Sequence, residues 1–109
     1  MSTGERRRTQ RVPVDVWVEE SRDRETYFQR GANLSVGGIY LGRSIPHPLG
    51  TMMSLKFTLP GEQQPIHVVG KIVSLALDGE EPGMGVAFTE LDEDTRARIE
   101  RYVASAAEA

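Results

Sequence analysis

Val12-Pro13-Val14-Asp15-Val16-Trp17-Val18-Glu19 places a valine at every second position. Successive side chains of a strand point to opposite faces, so this period of two predicts a half-buried β-strand with its valines inward. Pro13 has no N–H to give to a ladder, which puts it at the start of the strand or on an edge. The alternation returns downstream. Met53, Leu55, Phe57 and Leu59 alternate with Met52, Ser54, Lys56 and Thr58, and Met84, Val86 and Phe88 alternate with Gly85, Ala87 and Thr89. Residues 26–32, the short segment 39–41 and the β-branched run 66–77 bring the strands to six. Within that run Ile66, Val68 and Ile72 share one parity, while Val69, Val73, Leu75 and Leu77 share the other. A bend or bulge is therefore expected near Gly70. Charged residues 21–25, the rigid Pro46-His47-Pro48-Leu49-Gly50, Pro60-Gly61 and Asp78-Gly79 separate the strands.

After residue 90 the period changes. Asp92 is a good N-cap, and Glu93 and Asp94 place negative charge in a first helical turn. Ile99, Tyr102, Val103 and Ala106 fall at i, i+3, i+4 and i+7, one apolar stripe. This predicts a terminal helix over 92–107 that docks on the sheet or on a partner, with a fraying alanine-rich end. Six short strands and one helix read as a compact antiparallel barrel or sandwich. Trp17 is expected to pack on this scaffold or under the helix rather than to act as a stacking platform.

At 109 residues the chain is expected to be one domain, preceded by a disordered leader over 1–5. It has no cysteine, which excludes disulfides and thiolate metal sites. No secretory pattern opens it, and no apolar run approaches the ~18–20 residues of a membrane span. A cytoplasmic protein without membrane insertion is the expectation. The net charge is −3 and aromatic residues make up 6%, which argues against a DNA or RNA binder. Positive charge crowds into residues 6–11 and acid gathers from Asp78 onward. A basic clamp on an acidic body suits a small anionic ligand better than a long polyanion.

Enzyme chemistry finds little support. His47 and His67 lie too far apart for HxxxH or HExxH spacing, and each reads as structural or solvated. Ser35 has no GxSxG context, and the acids of 78–94 read as a solvated turn and a helix N-terminus. There is neither a GxGxxG nor a P-loop sequence. No catalytic residue, metal or cofactor is expected.

Two short segments remain. Arg6-Arg7-Arg8-Thr9-Gln10-Arg11 abuts the first strand and carries four arginines and no lysine. The planar arginine fork donates paired hydrogen bonds to a phosphate or to O6 and N7 of guanine, and its face stacks on purines. Asn33-Leu34-Ser35-Val36-Gly37-Gly38 offers short side chains that reach backbone or ligand heteroatoms. Its glycines permit positive φ and leave no Cβ in the way of a close ligand. By itself this second stretch reads as an Asx-type turn closed by glycines.

Together the two segments resemble the signature of the PilZ domains, bacterial receptors for cyclic di-GMP: RxxxR near the N-terminus, then [D/N]xSxxG. Only Arg7 with Arg11 fits the first motif, because Gln10 follows Arg6 by four and Val12 follows Arg8 by four. Asn33, Ser35 and Gly38 fit the second. Gly83-Met84-Gly85-Val86-Ala87-Phe88 leading into a helix matches the family as well. The resemblance implies an all-β fold, a six-stranded antiparallel barrel over 12–90 with a C-terminal helix. It implies that Arg7 and Arg11 contact guanine and phosphate while Asn33, Ser35 and Gly38 hold the other guanine, with Arg8 and Gly37 alongside. Arg6, just before the first motif, points to a stacked pair of ligands. The expected mechanism is ligand-driven ordering: like-charge repulsion keeps the arginine segment mobile, cyclic di-GMP neutralises it and folds it onto the barrel, and this adaptor then signals to a downstream protein. The competing expectation is a PilZ-like interaction module that binds no nucleotide.

Overall fold

A computed structural model of the chain describes residues 10–42, 47–76 and 82–108. The strands are β1 (Val12–Arg22), β2 (Glu25–Ser35), β3 (Gly38–Gly42), β4 (Met52–Phe57), β5 (Ile66–Ala76) and β6 (Gly83–Glu90), followed by the helix α1 (Glu93–Glu108). Each neighbouring pair is antiparallel, and the order β1-β2-β3-β6-β5-β4 closes into a barrel where β4 meets β1. The closing β4–β1 ladder is short, pairing Glu19, Glu20 and Ser21 with Lys56, Leu55 and Ser54. The alternation that predicted the strands is the alternation of the barrel wall. Val12, Val14, Val16 and Val18 point inward from β1, and Met53, Leu55 and Phe57 from β4. They share one core with Leu34, Leu41, Ile72, Val86 and, from α1, Ile99 and Val103.

The bend expected near Gly70 is present. The β5–β6 register shifts between Val69 and Gly70 and again between Ile72 and Ser74. A Cβ at Gly70 would run into the Val86 side chain, so the glycine lets the two strands approach there. Asp78-Gly79, Leu77 and Pro46 lie outside the described residues.

The end of β2 differs from the sequence reading. β2 runs to Ser35, past residue 32, because Asn33, Leu34 and Ser35 keep pairing with Tyr40, Ile39 and Gly38 of β3. The stretch read as a turn is thus mostly strand, and only Val36 and Gly37 turn the chain. Gly37 and Gly38 also stay out of the left-handed region. The β1–β2 hairpin does the opposite. Asp23 and Arg24 have φ of 48° and 71°, the handedness of a type I′ turn, which matches the twist of the flanking strands.

Helix α1 begins where expected. The Asp92 carboxylate accepts the Thr95 N–H at 2.7 Å, and that bond holds the Asp92 carboxyl below its ordinary pKa. The helix packs on β1 and β2. Arg98 ties it to the β4–β5 loop through Glu62 at 2.6 Å and the carbonyls of Gln64 and Pro65.

Trp17 is a correction to the sequence reading: it is 63% exposed. Parity explains it, since Val16 and Val18 take the inward positions and leave the indole outside. The Arg30 guanidinium lies 5.2 Å over its ring and pairs with Asp15.

Parity also carries Glu20 inside, two residues beyond Val18, where it is fully buried. Its Oε1 accepts the Gln29 amide at 3.0 Å. Its Oε2 faces His47 Nε2 at 3.0 Å and Arg22 Nε at 4.0 Å. Arg22 Nη2 lies 3.1 Å from His47 Nδ1. Arginine only donates, so Nδ1 accepts, while His47 Nε2 and Glu20 Oε2 lie within ion-pair range without the geometry of a hydrogen bond. His47 is therefore structural: it pins the β3–β4 loop to this end of the barrel, with the Tyr27 ring 5.3 Å away.

Candidate functional site

At the other end of β1, the chain enters the barrel at Arg11. Here β2 ends, β3 begins, and β6 and β5 continue the wall. Arg11, Asn33, Ser35, Gly37 and Gly38 line one open groove of about 250 Å³ there. The ladder explains their meeting. β1 and β2 pair Val12 with Leu34 and Pro13 with Asn33, so Arg11 reaches the level of Ser35.

Each group has a distinct task within the groove. The Asn33 amide has no partner among the described residues, so its donors and acceptor are available. Ser35 is buried, and its hydroxyl accepts the Gly37 N–H at 3.3 Å and reaches the Gly38 carbonyl at 3.4 Å. It shapes the hairpin first. The Gly37 carbonyl accepts the Phe88 N–H at 2.9 Å, which fastens the turn to β6. A Cβ at Gly38 would collide with the Val86 carbonyl, whereas a Cβ at Gly37 would meet only the Ser35 hydroxyl, at 4.0 Å. Gly38 is thus demanded by strand packing, and Gly37 keeps the rim of the groove open. Arg11 is exposed, and no carboxylate lines the groove among the described residues. Arg6, Arg7 and Arg8 lie outside the described residues.

The remaining wall was not singled out from the sequence. Tyr40 of β3, Val73 and Ser74 of β5, and Gly85 and Ala87 of β6 line the same groove. The signal was available in β6. Gly83, Gly85 and Ala87 alternate with Met84, Val86 and Phe88, so one face of that strand carries only small residues. Ser74 pairs with Gly85, where a Cβ would strike its hydroxyl. The result is a low, smooth floor that a flat group can approach.

Comparison with known proteins fits this geometry. The model of the PilZ domain matches residues 5–105. The chain belongs to the PilZ domain family. Its barrel is similar to that of Bacillus subtilis inhibitor of motility MotI/DgrA, with TM-score 0.77, 19% identity, and coverage of 87% of this chain and 48% of that one. It is similar to the Escherichia coli YcgR PilZ domain with c-di-GMP, with TM-score 0.69, 17% identity, and coverage of 90% and 88%. It is also similar to the K. pneumonia MrkH–c-di-GMP complex, with TM-score 0.70, 19% identity, and coverage of 87% and 49%. This PilZ domain spans about half the length of MotI/DgrA and MrkH. A comparison with curated proteins gives no match.

PilZ domains are binding modules. Among the described residues no group of three or more His, Asp or Glu is placed to hold a metal ion. No helix among them is long and apolar enough to cross a membrane.

Proposed function

We propose that this PilZ domain is a non-enzymatic receptor for cyclic di-GMP. The observation that carries the reading is the convergence of Arg11 with Asn33, Ser35, Gly37 and Gly38 on one groove that no acid lines among the described residues. At about 250 Å³ the groove is smaller than the pockets of about 300–1,000 Å³ that enclose drug-sized ligands. It suits one guanine base lying on the small-residue floor, with the rest of the dinucleotide outside. The outer part then needs cover, and four arginines in residues 6–11 have the chemistry for two phosphates and a second base. Arg7 and Arg11 grip guanine and phosphate, Arg6 and Arg8 extend the grip, and a second stacked nucleotide fits between segment and barrel. Binding folds the arginine segment onto the barrel, and the new surface is read by a downstream protein in the cytoplasm.

Calorimetry with cyclic di-GMP tests this. Saturable binding is expected, at two ligands per chain if the pair stacks. Arg11→Ala should abolish it and leave the melting transition unchanged, because Arg11 is exposed and outside the core. A wild-type titration that stays silent at high micromolar ligand would sink the reading and leave an interaction module that binds no nucleotide.

A further inference from the structure

A second groove, of about 530 Å³, shares both segments with the first. Gln10 lines it where the next residue, Arg11, lines the nucleotide groove. Val36 lines it where Gly37 lines the other. Its opposite wall is the last part of α1, with Val103, Ala104 and Ala107 forming an apolar floor. Glu100 and Glu108 stand on that wall, exposed and without an ion-pair partner among the described residues.

The charge there does not serve the helix. A helix C-terminus carries partial negative charge and is stabilised by bases, yet the last turn of α1 holds no base and ends on Glu108. Two carboxylates, a negative helix end and an apolar floor form a seat for a cation with an aliphatic stem. Arginine is such a group. Arg11, next to Gln10, lines the other groove, and the arginines upstream are Arg6, Arg7 and Arg8, two to four residues before Gln10. At ~3.3–3.6 Å per residue they reach roughly 7–14 Å from that point, and the tether gives an effective concentration on the order of millimolar.

We propose that the nucleotide-free chain docks its own arginine segment in this groove, on Glu100 and Glu108. Groove and nucleotide then compete for the same side chains. The docking stands on the groove alone, while the competition rests on the cyclic di-GMP reading.

The test uses the full chain with Glu100→Gln and Glu108→Gln together. Limited trypsin digestion without nucleotide reads exposure of Arg6, Arg7 and Arg8. Cleavage there should quicken by about fivefold, the size expected of two partly exposed ion pairs acting together. Calorimetry should show cyclic di-GMP binding tightened by up to the same factor, because the competing docked state is lost. Glu90→Gln with Glu93→Gln removes as much charge away from the groove and should change neither reading. Equal cleavage of wild type and variant overturns the docking and leaves the groove to a basic segment of another protein. Equal change in the Glu90/Glu93 control overturns it too, as a bulk charge effect. Faster cleavage with unchanged affinity overturns the competition. Faster cleavage in a chain that binds no nucleotide upholds the docking and refutes the receptor reading.

Discussion

Where β1 finishes, Glu20, Gln29, Arg22 and His47 are drawn together inside the wall, and the Glu20 carboxylate reaches no solvent. Where β1 begins, Arg11 and Asn33 face an open groove and the Asn33 amide has no partner among the described residues. Both ends are polar, on the same strands, yet one sets its charges against each other inside the wall, with Glu20 Oε2, Arg22 Nε and His47 Nε2 within ion-pair range but without hydrogen bonds, and the other leaves its groups open to the groove. A buried charge is kept only when other groups surround it, so the first end is a fastening. Polar groups left unspent over glycines and Ala87 make the second end the proposed receptor surface.

The sharpest way to break that contrast is Glu20→Ala. It strands the Arg22 cation and removes the acceptor of the Gln29 amide, which should cost about 3 kcal/mol in urea denaturation. Glu20→Gln keeps the size and one acceptor and should lose less. If the two ends are independent, cyclic di-GMP affinity stays within about twofold of wild type. An affinity that falls along with stability would show that the fastening also shapes the receptor surface.

The neighbouring glycines sharpen the receptor side. Gly38→Ala forces β3 away from the Val86 carbonyl and should cost about 2 kcal/mol, in the range of overpacked sites. Gly37→Ala enters open space and should stay within about 0.5 kcal/mol. Its effect should appear in the titration instead, as weaker nucleotide binding. Equal stability losses in the two variants would mean that both glycines serve the fold and neither serves the ligand.

The barrel wall was legible because period two survives closure: the inward residues of β1, β4 and β6 are those the alternation marks. The candidate groove was legible in part, since Asn33, Ser35 and the glycines that line it mark themselves by type. Val73 and Ser74 did not, because β5 carries two register shifts and its outward face cannot be followed by parity alone. Trp17 was misread because a large apolar residue was taken to be buried, although its parity already placed it outside. The Glu20 cluster was missed because the strand was read as ending at Glu19, one residue before the valine parity turns polar. Which grooves share a wall follows from the ladder registers, and no local pattern encodes those.

The smallest expected effect concerns the two hairpin turns, and there sequence and backbone point in opposite directions. Val36-Gly37 carries a glycine but does not use the left-handed region. Asp23-Arg24 carries none, and both residues are left-handed. A type I′ turn favours glycine at its second central position, where an L side chain costs roughly 1–2 kcal/mol. Glycine also loosens the unfolded chain, by about 0.4–1 kcal/mol, so the gain is only partial. Arg24 is exposed and has no partner among the described residues, so nothing else is lost with it. Arg24→Gly should therefore stabilise the domain by about 0.5 kcal/mol and leave cyclic di-GMP affinity untouched. The turn closes the fastened end of β1, far along the strand from Arg11. A change in affinity would mean that strain at this hairpin reaches the receptor surface, and the contrast between the two ends would fail. A loss of stability would mean that the turn does not hold the left-handed geometry on which the gain depends.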